Sequence, residues 1–128
     1  MEVIVAAALV FVNSLTGWQI PEQTPKILID EQRVFLNSGR DAAYQGEGVI
    51  LVREVTASLS PELVHEIVHF FQEKQNRLHK NNTSREECLL ESEAEVIENE
   101  FRKNLGLELA SFYSQLCLKA LEAVKVPE

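Results

Sequence analysis

Apolar and polar positions alternate along this chain in two rhythms, helical at both ends and strand-like between. Val3–Leu15 is apolar and alanine-rich, which predicts a buried first helix ending at Thr16-Gly17. Pro21 and Pro25 mark a connection, after which Lys26–Asp30 and Val34–Leu36 are short strand candidates. Gly46-Glu47-Gly48 then turns the chain into a stronger strand, Val49–Val52. Next comes a helix on which Val64, Ile67, Val68 and Phe71 form an apolar stripe. Its start is signalled by Ser60 as N-cap, Pro61 at the first helical position and Glu62 complementing the dipole. A second long helix is predicted from the capping box Ser84-Arg85-Glu86-Glu87, with Ser84 as N-cap, to Asn104-Leu105, where Gly106 is a natural stop. Leu90, Ala94, Ile97, Phe101 and Leu105 share one face of it. Leu109, Tyr113, Leu116, Cys117, Ala120, Leu121 and Val124 recur at helical spacing as a closing amphipathic helix. These elements predict an α+β fold, and 128 residues suit a single domain spanning 1–128.

The chemistry sits on the two central helices. His65-Glu66-Ile67-Val68-His69 places two imidazoles at i and i+4, one above the other, so both can reach one metal ion. Glu66 projects beside that ion, where it can take the proton of a metal-bound water. A third protein ligand is needed, and the long helix supplies candidates. Glu91 and Glu98 lie at the edge of its apolar face, Glu95 lies further round, and Glu93 and Glu100 point into water. The small Ala94, one turn after Glu91, lets the two helices approach closely. The order of preference for the ligand is Glu91, then Glu93, then Glu98.

The pattern His65-Glu66-x-x-His69 followed by Glu91-Ser92-Glu93-Ala94-Glu95 resembles the gluzincin zinc metallopeptidases, and the compact size is most similar to the minigluzincin-type proteins. The resemblance implies that His65, His69 and Glu91 hold Zn²⁺ and that Glu66 is the general base of peptide-bond hydrolysis. It also implies that Glu95, at the end of the Glu-x-x-small-acid run, steadies His65 from behind. In that family an extended peptide is laid along an edge strand, for which residues 48–54 are the candidate. The alternative is a zinc-stabilised binding or regulatory module with little or no peptidase activity, favoured by the shortness of the chain.

A net charge of −8 argues against nucleic acid or an anionic membrane surface as partner. The glutamate-rich run Glu86–Glu100 is mostly a solvated helix face apart from the positions above. Early Glu2 and the lack of a basic leader argue against an export signal in the first apolar stretch, which makes the expected location cytoplasmic. Cys88 and Cys117 fall on consecutive helices; a disulfide is geometrically possible, and free thiols are expected in a reducing compartment. His79, Tyr44 and Tyr113 compete for an oxyanion-stabilising role that the sequence does not assign. Gln72, one turn beyond His69, either hydrogen-bonds a ligand carboxylate or extends into water.

Overall fold

The structure is a computed structural model and describes residues 2–30, 41–53, 59–111 and 117. In chain order it contains α1 (Glu2–Thr16), β1 (Lys26–Ile29), β2 (Ala42–Gly46), β3 (Val49–Val52), α2 (Pro61–Lys74) and α3 (Ser84–Asn104). The mixed α+β class expected from the pattern is what is found. Val34–Leu36 and Tyr113 lie outside the described residues; of the expected closing helix, Leu109 is exposed in irregular chain rather than helical, Cys117 is described, and the rest lies outside the described residues.

The sheet differs from expectation in one respect that matters for function. Its order is β1-β3-β2, with β1 parallel and β2 antiparallel to β3. The strand expected at the edge, Val49–Val52, is therefore the centre, because β1 pairs along the side that β2 leaves open. Beside α2 the edge is β2, whose Ala-Ala-Tyr-Gln-Gly sequence carries no β-branched residue and went unread as a strand. Glu47 and Gly48 both take positive φ (54° and 77°), the two-residue hairpin turn whose twist suits the flanking strands.

Helix α2 is the axis of the molecule. It packs against α1, β2 and α3, and Leu63 to Gln72 are all buried. Ser60 caps it as expected, its hydroxyl accepting from Leu63 N–H. At the other end Asn76 takes φ 60°, while Arg77 N–H donates to Gln72 C=O and Asn76 N–H to Glu73 C=O. This is a Schellman closure, and Gly106 ends α3 in the same way. The N-cap of α3 is Thr83 rather than Ser84: the Thr83 hydroxyl accepts from Glu86 N–H, and the Glu86 carboxylate from Thr83 N–H. Both registers satisfy the capping-box pattern in sequence, so only packing separates them.

The first helix is one-sided rather than buried. Val5, Ala8, Leu9 and Val12 enter the core, whereas Val3 is 82% exposed and Val10 and Leu15 face outward. Phe11 meets Phe101 edge-on with ring centroids 5.3 Å apart, and Trp18 meets Phe71 at 5.8 Å. Cys88 of α3 is disulfide-bonded to Cys117, with Cα atoms 5.4 Å apart. Both thiols are therefore engaged, and Cys88 is not a candidate metal ligand. No helix among the described residues is long and apolar enough to cross a membrane.

Candidate metal centre

Because α2 and α3 pack face to face, three side chains from separate turns meet at one point. His65 Nε2 lies 2.9 Å from Glu91 Oε2, and His69 Nε2 lies 3.0 Å from Glu91 Oε1. The two rings stand nearly perpendicular, with centroids 5.0 Å apart. Ligand atoms of His65, Glu66 and His69 also fall within 4.8 Å of one another. Of the three ranked glutamates, the one brought to both imidazoles is Glu91. Glu93 does not point freely into water: it pairs with Arg77 at 2.7 Å and accepts from Gln72 Nε2 at 3.1 Å.

Glu98 stands behind His65. His65 Nδ1 is hydrogen-bonded to Glu98 Oε1 at 2.8 Å, and Glu98 Oε2 in turn accepts from Arg102 Nε at 2.6 Å. Glu98 lies two turns beyond Glu91 on the same face. Glu95, given that role by the resemblance, is buried on the same helix. Behind His69 stands Gln72, whose Oε1 lies 2.7 Å from Nδ1 and whose side chain is fully buried. Its role was open in the sequence, since an exposed glutamine and a buried one look alike until the partner helix is placed.

Glu66 is buried beside the pair, and its Oε1 accepts a hydrogen bond from the backbone N–H of Tyr44 at 2.8 Å. The Tyr44 hydroxyl points elsewhere, donating to Glu73 at 2.6 Å and accepting from Gly48 N–H at 2.7 Å. Burial, aided by Glu73, pushes that phenol well above its ordinary range. It therefore stays protonated as a strut between hairpin and helix, committed away from any oxyanion. His79 is exposed in the loop after α2 and bonds with Asn81 and Asn82, apart from the cluster.

The electrostatics are those of a tight proton-holding cluster. Burial pushes His65 down, but hydrogen bonds to Glu91 and Glu98 outweigh it and raise the imidazole to about 10. Burial likewise opposes the charged form of His69, and the approach of Glu91 raises it nonetheless. Burial works against the Glu91 carboxylate, yet the two imidazoles hold it down at about 2.

A metal ion fits these donors. His69 Nε2 is buried and has no hydrogen-bond partner among the described residues, with Glu91 Oε1 3.0 Å away. Both histidines are held through Nδ1, which aims both Nε2 atoms at the same carboxylate. Tetrahedral zinc with bonds of about 2.0–2.1 Å sets neighbouring donors about 3.3 Å apart, a few tenths of an ångström beyond the 2.9 and 3.0 Å at which the two imidazoles meet Glu91. Two imidazoles and one carboxylate are a donor set typical of catalytic zinc sites. Compared with protein-family models, curated proteins and solved structures, the chain matches none.

Proposed function

We propose that this protein is a zinc-dependent metallopeptidase in which His65, His69 and Glu91 hold the metal and Glu66 is the general base. The observation that carries this reading is the convergence of both Nε2 atoms on Glu91 with Glu66 alongside. Zinc, when bound to such a set, acidifies water and polarises a carbonyl. The remaining work falls to the chain. One oxygen of Glu66 is fixed by Tyr44 N–H, which leaves the other to accept a proton from the attacking water and return it to the leaving amine. Glu98 and Gln72 keep the two imidazoles turned toward the metal. Strand β2, at the sheet edge beside Glu66, is where an extended peptide would pair through its backbone.

The zinc-stabilised binding module is the second reading. The observation on its side is that Glu66 is only 6% exposed. The experiment that tests the first reading is metal content by mass spectrometry on untagged protein, followed by turnover of an unstructured protein substrate. About one zinc per chain, with turnover lost in Glu66→Gln, is the expected result. Zinc without turnover in the parent would leave the binding module.

A further inference from the structure

Gln72 makes more of its amide than any other uncharged side chain near the cluster. Its Oε1 lies 2.7 Å from His69 Nδ1, and its Nε2 donates to the backbone carbonyl of Leu90 at 2.9 Å and to Glu93 Oε1 at 3.1 Å. Two of these partners decide which way the amide faces. A backbone carbonyl and a carboxylate can only accept, so the NH₂ end must face α3 and the oxygen must face His69. That oxygen can only accept, so His69 Nδ1 must carry a proton. The lone pair of the neutral ring is then confined to Nε2, the buried atom aimed at Glu91 that has no hydrogen-bond partner among the described residues.

We infer that Gln72 is a positioning residue that sets the tautomer and ring direction of His69 for metal binding. It does so by borrowing rigidity from the helix that carries Glu91, because Leu90 immediately precedes that ligand. The inference rests on the reading of His69 as a metal ligand. Glu93 extends the link outward to Arg77, whose guanidinium stacks 5.2 Å from the centre of the Trp18 ring. Gln72 thus joins both ligand helices through one fully buried amide.

The test uses Gln72→Met and Gln72→Glu in the full chain, with zinc affinity measured by chelator competition and folding by circular dichroism. Methionine keeps the volume and removes all three hydrogen bonds. Glutamate keeps an acceptor for His69 Nδ1 but loses the donor to Leu90 and Glu93. The expected result is a loss of about 10- to 100-fold in zinc affinity for Gln72→Met. Gln72→Glu should melt lower than the parent yet bind zinc within a few-fold of it, a split that a purely structural bridge would not produce. Parent-like affinity in Gln72→Met would overturn the inference, as would equal losses in both variants. Should Gln72→Met fail to fold, the zinc-loaded parent decides: the His69 Nδ1–H proton should be visible by NMR and protected from exchange, and exchange at the rate of a free imidazole would overturn the inference. A parent that takes up no zinc at all would instead overturn the proposed function, and this inference with it.

Discussion

Tyr44 donates its backbone N–H to Oε1 of Glu66 at 2.8 Å, so an edge strand, and not only a helix, holds the candidate base. A glutamine at position 66 can accept the same hydrogen bond through its carbonyl oxygen but cannot take a proton from water. Glu66→Gln should therefore fold and bind zinc like the parent. Its peptidase turnover should fall by about a hundred- to ten-thousand-fold, the usual worth of a positioned base. Single-turnover assays beside metal analysis would check this, and loss of zinc in the variant would reassign Glu66 as a ligand.

Glu91 and Glu93 sit two residues apart and should behave oppositely. Glu91→Ala removes the carboxylate that meets both imidazoles, and zinc affinity should fall by more than the roughly 100-fold seen for changes behind a ligand. Glu93→Ala breaks a half-exposed pair with Arg77 and removes one acceptor of the Gln72 amide, but the bond from Gln72 to the Leu90 carbonyl still orients that amide, so the effect on zinc should be small. Chelator competition on the two variants reads both outcomes; the reverse pattern would sink the ligand assignment.

Glu98 connects His65 Nδ1 to Arg102, making a carboxylate the anchor of one imidazole where an amide anchors the other. Glu98→Gln should weaken zinc binding by about 10- to 100-fold. Parent-like zinc affinity in Glu98→Gln would sink this role for Glu98.

What the sequence made legible follows the range of the interaction. Helix α2 could be read almost residue by residue, because Ser60, Pro61, the apolar stripe and the i, i+4 histidines are all local signals. Glu91 was readable through one step of tertiary reasoning, since it needed only a helical wheel and the small Ala94. The contact of Glu98 with His65 needed the depth at which α3 crosses α2, and no local pattern contains that. Strand β2 was missed because Ala42-Ala43-Tyr44 has little strand propensity and is held by pairing with β3 and by Glu66. The centre-versus-edge assignment of Val49–Val52 failed for a related reason. A short apolar strand looks the same in either place, and only the parallel pairing of β1 decides.

The Cys88–Cys117 bond closes a loop with a sequence separation of 29, tying α3 one turn ahead of Glu91 to the segment that follows it. Constraining the unfolded chain in this way is worth about 2–4 kcal/mol. Reduction should lower the unfolding free energy by that amount, and the denaturation midpoint with it, while leaving zinc stoichiometry unchanged. Urea titrations with and without reductant, each followed by metal analysis, would check both halves.

The same cluster should give the metal-free protein a stability maximum in mildly acidic solution. His65 is raised from 6.5 to about 10, so its contribution is complete below 6.5 and is lost as the pH climbs through 10. Glu91 is lowered from 4.5 to about 2, so its contribution is complete above 4.5 and is lost as the pH falls through 2. The two describe one interaction seen from both partners, and their overlap puts the maximum between pH 4.5 and 6.5. Zinc reverses the alkaline arm. Ligation requires both imidazoles neutral, so uptake near neutral pH must release protons, and the zinc-dependent gain in stability should grow from pH 6.5 toward 10. Thermal melts across pH with and without zinc, together with proton release in weakly buffered solution, would measure this. A gain in stability that does not vary with pH would mean that zinc binds without displacing the proton that His65 shares with Glu91.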